Sequence, residues 1–226
     1  DLIGIDLMAD VVVSLGNILP ADDAFHAVGA ANPAIAAMIA AGFTGDKGKG
    51  GFYCLDGTKR MARQFVGYEG NDMPPLNHAK TKLPAAAIAA AEAAARQDEP
   101  LFMLLDGHDD QARFCRRVLG RILHYAASLV PSVTTTPQDI DDAMKLGFNW
   151  QRGPFEMIDA IGQQRFAALL DECGLTVPAF LEDGAPNYSV QAGSLMVRHA
   201  DGARQPVNLP EGVMRFHMTR RTLHPI

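Results

Sequence analysis

Asp139-Ile-Asp-Asp-Ala-Met-Lys-Leu-Gly-Phe-Asn-Trp-Gln-Arg-Gly-Pro-Phe-Glu-Met-Ile-Asp-Ala-Ile-Gly162 is the most heavily punctuated stretch of the chain. Just ahead of it, Thr136-Pro137-Gln138-Asp139 resembles a capping box with proline at the first helical position. A helix is therefore expected from there through Ile140, Ala143 and Met144 to a stop at Gly147. After a break at Asn149–Gly153, Pro154 opens a second helix through Phe155, Met157 and Ile158, ending near Gly162. Asp139, Asp141 and Asp142 fall in a first helical turn. Carboxylates there favour the macrodipole by about 0.3–1 kcal/mol, so no acid–base role is required of them.

Helical spacing continues on both sides. Leu2, Ile3, Ile5, Leu7, Met8, Val11, Val12 and Leu15 recur every three or four residues up to Gly16. Asn32, Pro33 and Gly42 bracket a helix over 33–41 as N-cap, first residue and C-terminal stop. A turn, Gly45-Asp-Lys-Gly-Lys-Gly-Gly51, follows. Periodicity lapses from Asp56 to Leu83 and resumes over Pro84 to Arg96. Asp110 to Leu129 reads as a long helix with Phe114, Val118, Leu119, Ile122 and Leu123 as its buried stripe and Arg113, Arg116, Arg117 and Arg121 as its wet face. Another helix spans about Gln164 to Cys173. Beyond Asn187 only short alternating runs remain, including Ser194–Val197 and Gly212–Met218. No βαβ rhythm occurs, so the expectation is an all-α chain with an irregular or weakly β C-terminal tail.

The 226 residues are 48% hydrophobic and 20% charged, which excludes a disordered chain. A formal charge of −6 offers no general basic field for nucleic acid. No apolar run is long enough to span a bilayer, and no signal peptide is expected. Cys54, Cys115 and Cys173 stand far apart without a C-x-x-C, which fits neither a disulfide framework nor a zinc site and makes a reducing, cytoplasmic setting the default. The chain opens on Asp1 in what reads as the interior of an element, so a piece of something longer is expected.

A faint duplication emerges from the punctuation. Asp1-Leu-Ile-Gly4 matches Asp159-Ala-Ile-Gly162 at an offset of 158, Asn32-Pro-Ala-Ile35 matches Val177-Pro-Ala-Phe180 at 145, and Gly51-Phe-Tyr53 parallels Pro186-Asn-Tyr188 at 135. The matches keep their order, and the shrinking offsets correspond to shortened loops. A true repeat would have lost, in its first copy, everything equivalent to residues 110–158.

The run from Asp139 to Gly162 resembles the C-terminal helical domain of the 3-hydroxyacyl-CoA dehydrogenase family, whose signature is an AMKLG…GPFE…D…G run. The Gly45–Tyr53 stretch is similar to that family's glycine-lysine run ending in Gly-Phe-Tyr. Two tandem copies look like the long multifunctional branch that joins dehydrogenase and enoyl-CoA hydratase modules, with the dehydrogenase first. The resemblance implies a truncated first repeat at 1–55, a linker at 56–97, a second near-complete repeat at 98–190, and a linker or tail at 191–226.

It also implies an activity to which this chain contributes only part. The parent would oxidise L-3-hydroxyacyl-CoA with NAD in fatty-acid β-oxidation. A dinucleotide site needs a strand, a G-x-G-x-x-G turn and a helix N-terminus, and no such unit exists in this sequence. No catalytic or cofactor-binding residue is therefore assigned, no NAD is expected on this fragment, and none of the seven histidines inherits the family's proton-transfer role. The family's substrate asparagine falls at Arg116 here, a departure from the pattern.

Lys47 and Lys49 could reach coenzyme A phosphates as mobile charges, against the plainer reading of a solvated turn. Asp106-Gly-His-Asp-Asp110 could offer metal ligands, yet acids at a helix start explain it, and no metal is assigned. The arginine row could suit an anionic partner or be a solvated face. By the resemblance, Gly153, Pro154 and Phe155, with Trp150, lie where two helical domains meet, as apolar anchors of an intramolecular or homodimeric pair. The competing function is a stand-alone helical interaction module. A 6-phosphogluconate-type dehydrogenase domain fits the Ala143–Gly147 and Gly153–Asp159 motifs less well.

Overall fold

The computed structural model describes residues 1–29, 32–56, 59–62, 105–209 and 211, in two compact units divided near residue 84. The expected helix over 84–96, most of the 56–97 linker and the run 212–218 lie outside the described residues.

In the first unit, α1 (Ile5–Ile18) is followed by a single turn, α2 (Phe25–Val28), by α3 (Pro33–Ala40), and by a hairpin of β1 (Tyr53–Asp56) and β2 (Lys59–Ala62). The Asn32 side chain accepts from the Ala34 amide and Pro33 fills the first position, as the punctuation of α3 requires. α1 runs through Gly16 instead of stopping there. That glycine lies in open space, and the helix ends two residues later when Leu19 turns extended. Ile5 of α1 and Met38 of α3 are the unit's buried apolar side chains among the described residues.

The second unit contains α4 (Asp110–Ser128), α5 (Pro137–Phe148), α6 (Pro154–Ile161), α7 (Gln163–Glu172), a 3-10 turn (Ala179–Leu181) and three short strands. Thr136 and Pro137 start α5 as expected, the Thr136 hydroxyl accepting from the Gln138 amide. Its end lies beyond Gly147, at Asn149, which takes the left-handed conformation with φ 55°. Asparagine tolerates that geometry better than other side chains with a Cβ. Leu123 and Ala127 of α4, Phe155 and Ile158 of α6, and Phe166 and Leu170 of α7 form the core.

The chain is thus mostly helical and not all-α. β3 (Tyr188–Gln191), β4 (Ser194–Arg198) and β5 (Arg204–Pro206) make a three-stranded antiparallel sheet in sequence order. The expected boundary at 190 cuts through it. Val197 lies in the same core as Phe155, and the Ala200 amide bonds to the Thr135 carbonyl at 2.8 Å. Gln138 and Asn208 also exchange hydrogen bonds of 2.5 and 2.9 Å. Arg198, 4% exposed, fixes β4 to the 3-10 turn: it pairs with Asp183 at 2.5 Å, donates to the Phe180 carbonyl, and stacks over the Phe180 ring at 4.2 Å. The alternation over 188–198 is therefore a hairpin covering one end of the helical core.

Local geometry recurs between the units. Gly4 (φ 112°, ψ 131°) and Gly162 (φ 85°, ψ 141°) take the same conformation ahead of α1 and α7. Each glycine carbonyl then accepts the first helical bond, from Met8 at 3.1 Å and Phe166 at 2.9 Å. The Asp1 carboxylate accepts from the Phe52 amide and the Asp159 carboxylate from the Asn187 amide, both at 2.9 Å. In the hairpins, Tyr53 pairs with Ala62 and Tyr188 with Val197, and every pair of the first hairpin has its counterpart 135 residues on.

Candidate functional site

The stretch that decides the fold builds a buried polar clamp between α5 and α6. Asp141 projects from α5 into the core and is completely buried. One of its oxygens accepts from the Phe155 amide at 2.8 Å; the other accepts from the Glu156 amide at 3.1 Å and the Tyr188 hydroxyl at 2.9 Å. Free amides at a helix start must find acceptors, and the residue before α6 is Gly153, which has no side chain to offer. Asp141 supplies the missing cap from a neighbouring helix.

The glycine is what admits it, since a Cβ at 153 would lie 2.3 Å from Asp141 Cβ. Glu156 turns back to accept from the Gly153 amide at 3.0 Å and meets Lys145 at 2.8 Å. Asp159, one helical turn on, holds Asn187 and Tyr188 at the start of β3, accepting from the Tyr188 amide at 2.7 Å. Burial pushes the Asp141 carboxyl up to about 7, against the lowering pull of the Phe155 amide. Burial, with Asp141 alongside, also drives the Tyr188 hydroxyl far above its ordinary value, so it stays a donor.

The clamp's charged side chains Asp141, Lys145 and Glu156 are turned inward. The expectation that Asp139, Asp141 and Asp142 merely favour a helix dipole misses Asp141. Only Asp139 is exposed; its carboxylate accepts from the Thr134 hydroxyl at 2.6 Å.

Among the described residues, an accessible groove of about 560 Å³ lies beside α4. Phe114, Val118 and Ile122, expected to be buried, are 68%, 41% and 38% exposed and form its wall with Cys115, Trp150 and Met157. Only Leu123 and, in part, Leu119 of that stripe belong to the core. Arg113, Arg117 and Arg121, at one-turn spacing, line a second hollow that shares Phe114 and Val118 with the groove.

Arg116, where the resemblance would set the family's substrate asparagine, is bound within the unit. It donates to the carbonyls of Leu105 and Gly107 at 3.0 and 2.6 Å and pairs with Glu172 at 2.9 Å. The four residues expected at a domain contact are divided: Gly153, Pro154 and Phe155 are buried inside their own unit, Phe155 edge-on to Phe180, and Trp150 alone lines the groove.

In the first unit the glycine-lysine loop is closed by a bridge between Gly45 and Gly50. Lys47 pairs with Asp6 at 2.8 Å, and Lys49 donates to the Ala41 carbonyl at 3.1 Å, so both lysines brace their own fold. Asp106 pairs with Arg165, Asp109 caps α4 through the Ala112 amide, and Asp110 pairs with Arg113. Among the described residues no three potential metal ligands converge, and no helix is long and apolar enough to cross a membrane.

The amides at the starts of α3, α4, α5 and α6 are taken by Asn32, Asp109, Thr136 and Asp141, whereas Gly162 offers no side-chain cap to those of α7.

Residues 114–204 match the family model of the 3-hydroxyacyl-CoA dehydrogenase C-terminal domain. The chain is 31% identical over 176 residues to a Rickettsia felis protein described as a fatty acid oxidation complex trifunctional enzyme, covering 77% of this chain and 22% of that protein. It is 31% identical over 146 residues to a Bacillus subtilis protein described as a 3-hydroxyacyl-CoA dehydrogenase, covering 65% of this chain and 18% of the relative. A Rickettsia prowazekii protein described like the first is 30% identical over 159 residues, covering 70% and 20%. The chain thus spans about a fifth of the length of these relatives. No solved structure matches it at comparable significance. The similarity to the 3-hydroxyacyl-CoA dehydrogenase family thus lies in its C-terminal domain, over residues 114–204, whose signature side chains clamp α5 to α6.

Proposed function

We propose that the chain is the C-terminal helical portion of an NAD-dependent L-3-hydroxyacyl-CoA dehydrogenase of fatty-acid β-oxidation, acting in the cytoplasm. The observation that carries this reading is the clamp: the family's signature residues are present and joined by hydrogen bonds, and they support a fold without supplying chemistry. Hydride transfer and proton abstraction belong to a dinucleotide domain that these residues do not form, so NAD binds the whole enzyme and not this portion.

The two units are copies of one helical design, an interpretation supported by the matching glycines, aspartates and hairpin registers. That the 176-residue similarity to the Rickettsia felis protein exceeds the 91 residues of the domain match indicates that relatives share more than the second copy. The acyl-CoA of the whole enzyme would lie against the helical part, with Lys47 and Lys49 available to its phosphates only after leaving their present partners. Pairing of helical domains, within one chain or between two, would use the groove with Trp150 on its wall. The exposed apolar groove equally favours a stand-alone interaction module as the second reading.

The test separates them. The purified chain, supplied with L-3-hydroxybutyryl-CoA and NAD, is expected to form no NADH, and its coding frame should continue upstream through a strand, a G-x-G-x-x-G turn and a helix. NADH formation by the chain alone, or a frame lacking that unit, would overturn the proposal.

A further inference from the structure

Two buried polar atoms of the β3–β4 hairpin have no hydrogen-bond partner among the described residues, the side-chain oxygen of Asn187 and the Nε of Arg198. The residues are 0% and 4% exposed, so neither atom is served by bulk solvent. A buried donor or acceptor forfeits the hydrogen bond it had in water unless something inside the protein replaces it.

The hairpin sets these two residues opposite each other. Tyr188 pairs with Val197, and one step along the Arg198 amide donates to the Asn187 carbonyl at 2.8 Å. Directly opposed residues of antiparallel strands carry their side chains on the same face. The leftover acceptor and the leftover donor therefore belong to neighbouring side chains.

Neither side chain is free to turn. Asn187 Nδ2 donates to the Asp159 carboxylate at 2.9 Å, and because that carboxylate accepts, the NH2 end of the amide must face it and the oxygen must face away. Arg198 spends Nη1 on the two Asp183 oxygens at 2.5 and 2.6 Å and Nη2 on the Phe180 carbonyl. What would satisfy both leftover atoms must accept from Arg198 and donate to Asn187. A cation would face the guanidinium, and an anion would face the Asn187 oxygen beside a guanidinium whose charge Asp183 already meets. The remaining chemistry is a small neutral group that both donates and accepts.

We infer that one internal water bridges Arg198 Nε to Asn187 Oδ1. This solvent site joins two anchors of the sheet, Asp159 on α6 and Asp183 after the 3-10 turn, into a single polar network running through the hairpin. The backbone anchor does not depend on it. In the first unit Phe52 stands at the corresponding place, and its amide donates to Asp1 at 2.9 Å just as the Asn187 amide donates to Asp159. The Asn187 side chain is thus an addition to that anchor, and the water is its other partner.

The test is nuclear magnetic resonance of the full chain labelled with nitrogen-15 and carbon-13. The Arg198 Nε–H should give a cross-peak to the water resonance with the sign of a long-held water, and should exchange with solvent about tenfold or more slowly than the Nε–H of exposed Arg117. Asn187→Leu, similar in volume and without the acceptor, should lose the water cross-peak while the Tyr188 amide, held by Asp159, keeps its exchange rate within about threefold. In the wild-type chain alone, absence of the cross-peak, exchange as fast as that of Arg117, or a scalar coupling through a direct bond from Arg198 Nε to the Asn187 side-chain carbonyl would each overturn the water. Persistence of the cross-peak in Asn187→Leu would overturn the bridge.

Discussion

Replacing Asp141 by asparagine keeps the shape of a buried side chain and removes its charge, which separates the clamp's hydrogen bonds from its electrostatics. Burial raises this carboxyl from 3.8 to about 7 in the folded protein. The folded state therefore holds the proton more tightly than the unfolded chain. The group's contribution to stability is full below about pH 4 and is lost as the pH rises through 7. Between pH 5 and 8 the unfolded chain is already ionised while the folded one releases its proton, and the integrated loss is about 2–3 kcal/mol.

Asparagine removes that loss but turns an amide group toward one of the two backbone donors, at a cost of about 1–3 kcal/mol at pH 5. The cost of Asp141→Asn should shrink toward zero, or reverse, by pH 8. Urea unfolding followed by the fluorescence of Trp150, the single tryptophan of the chain, reports on the second unit alone. Parallel pH slopes for the two proteins would refute the buried charge, and equal stability at pH 5 would refute the clamp.

Three further outcomes follow from the same geometry. Gly153→Ala forces a methyl group against Asp141 and should destabilise the second unit by about 1–3 kcal/mol in the same unfolding assay, although φ at 153 is an ordinary −76°. Lys145→Met leaves Glu156 buried without its partner at 2.8 Å and should cost about 3–5 kcal/mol, with partial recovery in Lys145→Arg; a neutral result would mean that the buried pair does not hold the clamp together. Phe155→Ala should cost about 3–5 kcal/mol, whereas Phe114→Glu, on the exposed wall of the groove, should stay within about 0.5 kcal/mol by thermal unfolding and alter only self-association measured by sedimentation. The reverse pattern would return Phe155 to a domain contact.

Most helices were legible because their signals are local. Asn32-Pro33 and Thr136-Pro137 start helices through bonds within two residues of themselves, and Pro154 and Gly162 bracket α6 by sequence although its cap comes from Asp141. Helix ends were less legible. Glycine stops a helix only where the chain must turn, so α1 and α5 run through Gly16 and Gly147.

The exposed stripe of α4 was misjudged because amphipathicity tells which residues can be buried, not how many neighbours arrive to bury them. α4 has more apolar surface than α6 and α7 cover, and the remainder is the groove. The faint duplication, with its offsets of 158 and 135, has counterparts in matching backbone conformations and hairpin registers.

By itself the sequence determined that the described chain is mainly helical, that its decisive stretch is a pair of short helices broken at Asn149–Gly153, and that no dinucleotide turn is present. Only the tertiary structure decided what the decisive stretch is for. Asp141 caps a helix that begins 13 residues later, and Tyr188, 47 residues away, closes the same carboxylate. No local pattern encodes that an acid on one helix will meet a bare glycine at the start of the next. Burial turns that meeting into a requirement, since amides removed from water must find an acceptor wherever the fold can bring one.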